Sequence, residues 1–77
     1  MAIRKVHYLK KSDTDKLAIV LYTDSTTQVI DNDGRVLRTA GGDRFGEYVK
    51  AYKDDGYFDD SEPGWQVPDD PVSGSSK

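Results

Sequence analysis

Polar and apolar positions along this chain follow two periods, and the change from one to the other marks its elements. From Ile3 to Leu9 the pattern alternates, with Val6 and Tyr8 on one side and Lys5 and His7 on the other. Period two among β-branched and aromatic residues predicts a strand. Leu17 to Tyr22 does not alternate, because every position is apolar. Such a run reads as a central strand covered on both faces. Thr27 to Ile30 and Arg35 to Thr39 read as two further short strands. The polar clusters Ser12–Asp15 and Thr23–Thr26 separate them, since Asp and Ser side chains bond nearby backbone and favour turns. Asp31-Asn32-Asp33-Gly34 is the strongest turn, with Asp-Gly supplying residues that tolerate positive φ. Connections this short predict an antiparallel meander.

After Gly41-Gly42 the period changes. Phe45, Tyr48, Val49 and Tyr52 stand at i, i+3, i+4 and i+7, a single helical stripe. Asp43 suits the N-terminus of that helix, Lys50 and Lys53 suit its C-terminal end, and Gly56 suits the stop. Gly46, inside the helix, costs ~1 kcal/mol against Ala and is expected to permit close approach to the sheet. Beyond Asp59 no period survives, and Pro63, Pro68, Pro71 and Ser73-Gly74-Ser75-Ser76 read as a disordered tail. The expected fold is therefore α+β. It is a three- to four-stranded antiparallel β-meander with one helix packed on one face, a single domain over 1–58, and an acidic flexible tail over 59–77. Ile19, Leu21, Phe45, Val49 and Tyr52 should meet where the helix crosses the sheet. The other apolar face of the central strand (Ala18, Val20, Tyr22) then needs a cover. The tail, a second copy of the chain acting as a homodimer, or another protein could each supply it.

Composition narrows this picture. With 77 residues, 35% of them apolar, the chain holds one core, and a core that small rarely supplies more than ~3–5 kcal/mol. It has no cysteine, so neither disulfides nor thiolate metal sites can staple it. No apolar stretch follows Met1-Ala2-Ile3-Arg4-Lys5, and the longest apolar run, Leu17 to Tyr22, is far short of the ~20 residues that span a bilayer. The expectation is a soluble cytoplasmic protein with no membrane association.

Charge changes the picture most. Residues 1–53 carry ten Lys/Arg against seven Asp/Glu, whereas 54–77 carry seven acids against Lys77 alone. Opposite-sign halves point to a tail that binds, masks or solubilises. Candidate catalytic chemistry is sparse. His7 is the single histidine, and no Ser or Thr stands in a nucleophile-elbow context. The acids cluster in the segment expected to be unfolded, where rigid positioning fails. Asp31-x-Asp33-Gly34 echoes a calcium loop, yet the twelfth position is Gly42 rather than Glu. Gly41-Gly42-Asp43-Arg44-Phe45-Gly46 lacks the spacing of phosphate-binding loops. No enzyme activity, catalytic residue, metal site or cofactor is expected.

Three classes of function remain. The leading one is a small non-catalytic protein-binding module that engages a partner with a basic surface stoichiometrically. Small, cysteine-free acidic α+β proteins of this layout occur among phage-encoded inhibitors and accessory regulators, an analogy of layout alone. Its partner-binding residues are expected at Asp54, Asp55, Tyr57, Phe58, Asp59, Asp60 and Trp65, where aromatic anchors lie among acids that steer association. Core capping by Tyr57 and Phe58, and cover of the second sheet face by Trp65, are the competing readings. The second class is a weak nucleic-acid-binding sheet, masked by the tail, with a patch at Lys10, Lys11, Lys16, Arg35 and Arg38. The third is a structural or assembly subunit.

Overall fold

In the computed structural model, residues 2–67 are described. They form β1 (Ile3–Lys10), β2 (Lys16–Tyr22), β3 (Thr27–Asp31), β4 (Val36–Ala40), α1 (Phe45–Asp54) and β5 (Phe58–Asp59). The strands make one antiparallel sheet in the order β4-β3-β2-β1-β5. The non-alternating run is its central strand, buried along Leu17 to Tyr22. Register follows from which side chains must be dry, since a one-residue slip would exchange the two faces. Leu9 pairs with Leu17, Val6 with Val20, Ala18 with Ile30 and Ile19 with Val29. No helix among the described residues is long and apolar enough to cross a membrane.

The turns use the local chemistry their sequences offer. Lys11 N donates to Asp15 O at 2.9 Å, and Tyr22 N donates to Thr26 O at 2.8 Å. Asp24 Oδ1 accepts Thr26 N at 3.0 Å, and that bond holds the Asp24 carboxyl below its usual range. Ser25 takes φ 71°, a conformation in which glycine is the residue without a steric cost. In the third turn Gly34 occupies the same region at φ 87°. There Asp31 Oδ1 accepts both Asp33 N (3.0 Å) and Arg35 N (2.9 Å). The Asp-rich segment is thus a hairpin turn whose first carboxylate is occupied by backbone donors.

Thr27 positions the helix. Buried at 0% exposure, its hydroxyl donates to Gly42 O at 2.7 Å and accepts Arg44 N at 2.9 Å. Asp43 Oδ1 accepts Phe45 N at 3.2 Å, so the expected N-terminal acid serves the first turn. The stripe Phe45, Tyr48, Val49 and Tyr52 packs with Tyr57 on the buried cluster Leu9, Leu17, Ile19 and Val29. Leu21 is buried in the same sheet row, at 1% exposure. No residue of α1 is fully buried, however. Ten residues span ~15 Å over five strands ~5 Å apart, so the stripe stays accessible along the flanks of the helix. Gly46 corrects an expectation: a Cβ built there meets nothing within 4 Å, so it mediates no close approach.

The larger correction concerns the tail. The boundary expected between 58 and 59 falls inside β5, where Lys10 pairs with Phe58 and Leu9 with Asp59. The chain then turns across the second face of the sheet. Asp60 N donates to Tyr8 O at 3.0 Å, and Val67 N donates to the Tyr8 hydroxyl at 3.2 Å. Trp65 meets Tyr8 edge-on at 5.2 Å between ring centroids. Val67, at 8% exposure, joins Ala18, Val20, Tyr22 and Ile30, with Ile3, Tyr8 and Trp65 packed against them. Residues 59–67 are thus part of the packed body rather than a free tail, and the chain itself covers part of its second face. Two side chains on a strap without regular structure suffice for this, and such cover leaves no period in a sequence. The rest of the expected tail, 68–77 with Asp69 and Asp70, lies outside the described residues.

Candidate functional site

The end of α1 and the start of the strap bring the expected binding residues together, then sort them. Gly56 (φ 110°) ends the helix, with Gly56 N donating to Lys53 O and Tyr57 N to Tyr52 O. This is a Schellman motif, and its apolar contact is the edge-on pair Tyr52–Tyr57 at 5.3 Å. Tyr57 is turned inward by it. Its hydroxyl donates to Asp15 Oδ1 at 2.9 Å, and burial, then Asp15, push the phenol up to about 12. Phe58, the next residue on a strand, faces the opposite side. It is 50% exposed, with Lys10 Nζ 5.8 Å from its ring centroid.

Asp59 returns to the helix side. It accepts from His7 Nε2 at 2.7 Å and from Lys53 Nζ at 3.0 Å. The His7 bond first, and then Lys53, hold its carboxyl below the usual range. His7 in turn meets the edge of Phe45 at 6.4 Å. The histidine read as an ordinary exposed side chain therefore joins β1, β5 and α1. Asp55 lies 3.8 Å from Lys11, and Asp54 is exposed with no ion pair among the described residues. Asp60 is buried at 8% exposure, its Oδ1 accepting Glu62 N at 3.3 Å. Of the seven expected residues, Asp54, Asp55, Phe58 and Asp59 remain exposed around the β5 edge. Tyr57, Asp60 and Trp65 are taken up in packing.

The basic candidates divide differently. Lys10 and Lys16 are direct cross-strand partners, and Asn32 N donates to Lys16 O at 3.2 Å, setting the β3–β4 turn and Arg35 beside them. Lys11 leans over the Tyr57 ring at 5.4 Å. These four share one end of the sheet with Asp13, Asp15, Asp31 and Asp33, an end of mixed charge. Arg38 lies apart, on the helix face over Tyr52 at 5.8 Å.

Two clefts escaped the sequence reading. One, of about 290 Å³, is lined by Arg38, Tyr48, Ala51, Tyr52 and Asp55. The other, of about 440 Å³, is lined by Tyr8, Pro63, Gly64, Trp65 and Gln66. Each joins residues far apart in the chain, so no spacing could have revealed it. Among the described residues no three His, Cys, Asp or Glu side chains gather as a metal site. No protein-family model, no curated protein and no solved structure matches the chain.

Proposed function

We propose that this protein is a small non-catalytic module that binds a partner protein stoichiometrically, as an inhibitor or regulator does. The observation that carries this reading is Phe58, a half-exposed aromatic on the two-residue edge strand β5, close in the chain to exposed Asp54, Asp55 and Asp59, of which Asp54 makes no ion pair among the described residues. A large apolar ring held in water by a fixed backbone is a ready anchor for a pocket on a partner. The acids around it steer a basic surface toward it and make the on-rate fall with salt. Affinity capture from a lysate of the source cells, with wild type beside Phe58→Ala and Asp54→Asn/Asp55→Asn, tests it. Phe58→Ala should raise the off-rate at least tenfold, and the charge variant should lower the on-rate. Equal capture of one partner by all three proteins would remove this surface from the interface.

A second reading, weak binding of single-stranded nucleic acid, draws on the same ring. Lys10 pairs with both Phe58 and Lys16, which sets an exposed aromatic beside two cations in one row of the sheet. Binding of an oligonucleotide at low salt that Phe58→Ala abolishes would favour this reading over the first.

A further inference from the structure

The sheet has two open edges, and they differ. The β5 edge is two residues long, whereas β4 presents five, four of them exposed. An unpaired edge displays a row of backbone donors and acceptors, and natural sheets guard such rows with charged side chains, Pro, bulges or cover. β4 carries one charge, Arg38, and a bulge at Leu37, but it has no Pro, and no described strand pairs with its outer side. On the helix side it borders the cleft of about 290 Å³ that Arg38 shares with Tyr48, Ala51, Tyr52 and Asp55. We propose that the open edge of β4 and the cleft between β4 and α1 bind an extended acidic peptide segment of another protein, which joins the sheet as a sixth strand.

The side chains specify that peptide. Arg38 stands opposite Val29 on the helix face and makes no ion pair among the described residues. Asp55, across the cleft, is engaged by Lys11 at 3.8 Å. The register slips between Val29 and Ile30, so Val36 stands opposite Ile30 and Leu37 is the extra residue. Val36 faces the strap side with Ile30, and Leu37, the extra residue of the bulge, is exposed beside it. They are 38% and 48% exposed, a pair of aliphatic side chains beside a free edge. An added strand alternates its side chains between the two faces. Its helix-side position therefore meets a cation and two aromatic rings, and its neighbours meet Val36 and Leu37. Glu or Asp flanked by aliphatic residues fits both faces. A second copy of this chain fits less well, because two-fold pairing centred on Arg38 sets guanidinium against guanidinium.

This surface lies on the opposite edge from Phe58, and neither reading depends on the other. The test is a titration of the full chain, followed by 15N–1H correlation spectra. The probes are acetylated, amidated peptides of alternating valine with glutamate, alternating valine with lysine, and an N-methylated glutamate peptide. The glutamate peptide should shift amides of residues 36–40 with those of Tyr48, Ala51 and Tyr52. Arg38→Glu, which keeps a dispersed spectrum if it folds, should bind that peptide at least tenfold more weakly and prefer the lysine peptide. N-methylation, which removes the backbone donors of strand addition, should weaken binding at least tenfold in the wild-type protein. No shift at millimolar peptide, equal binding of both charge types, or full binding of the N-methylated peptide would each overturn the proposal. So would shifts confined to Phe58 and Asp59. Concentration-dependent shifts of 36–40 without peptide, with a dimer mass in sedimentation, would seat a second copy there and overturn it as well.

Discussion

A few residues with buried polar atoms decide the local geometry. Thr27 has the methyl that a strand position favours, but its hydroxyl ties Gly42 O and Arg44 N, and so sets where α1 begins. Thr27→Val keeps the shape and strands both backbone groups. An unmet buried hydrogen bond costs ~1–3 kcal/mol, so its urea midpoint should fall, while Thr27→Ser should recover most of the loss. Tyr57 carries a pH dependence whose sign follows from its environment. Burial and Asp15 raise its phenol from 10.0 to about 12, so the unfolded chain releases that proton first. The stability it contributes is full below about pH 10 and falls as pH rises through the folded value. Urea unfolding at intervals from about pH 9 to about pH 11 should show a decline in wild type. The decline should be shallower in Tyr57→Phe, and equal slopes would mean that Tyr57 does not carry it.

At the scale of elements, the central strand and the helix stripe obey simple periods, and their termini obey local chemistry. The exception is Gly46, which lies in the first turn of the helix with open space where its Cβ would go. Its φ is not in the left-handed region, so alanine meets neither a clash nor backbone strain. Gly46→Ala should therefore stabilise the protein by about 0.5–1 kcal/mol, mainly by restricting the unfolded chain. Thermal unfolding followed by far-UV circular dichroism should show a higher midpoint, and a lower one would mean that the helix needs the glycine after all. β5 obeys no period, because two residues cannot display one. Its position rests on Leu9 and Lys10 across the ladder and on Asp59 meeting His7 and Lys53.

For the whole molecule, the strap turns two layers into three. The helix covers one face of the sheet, and residues 60–67 lay Trp65 and Val67 over part of the other. Trp65 therefore contributes to stability, where the sequence reading set a partner anchor beside a covering role. Complete burial of a tryptophan makes its removal cost ~3–5 kcal/mol. Trp65 is half-buried, so Trp65→Ala should cost on the order of 2 kcal/mol by the same reasoning. That is a large share of the stability of a domain this small. Chemical denaturation should show the loss, and the bared face of Ala18, Val20 and Tyr22 should promote self-association in sedimentation. An unchanged midpoint would mean that the strap contributes nothing to the fold.

Much of this architecture was legible because it is local. Period two marked β1, an apolar run marked the central strand, and Asp-Gly marked the third turn. The i, i+3, i+4, i+7 stripe with Gly56 marked the helix and its stop, since these follow from backbone geometry within a few residues. The surplus apolar face of Ala18, Val20 and Tyr22 was legible too, as a need for cover. What covers it was not, because Trp65 and Val67 reach that face from some 45 residues along the chain by a path without periodicity. The same limit applied to the sites. The seven acidic and aromatic candidates formed one cluster in sequence, and only tertiary structure could divide them. The helix stop at Gly56 turned Tyr57 inward, the pleat of β5 put Phe58 and Asp59 on opposite faces, and the turn of the strap buried Asp60. Arg38 met Tyr52, and came to share a cleft with Tyr48, because the helix crosses back over the sheet. Local order is specified by neighbours in the chain, whereas exposure is decided by what distant segments bury.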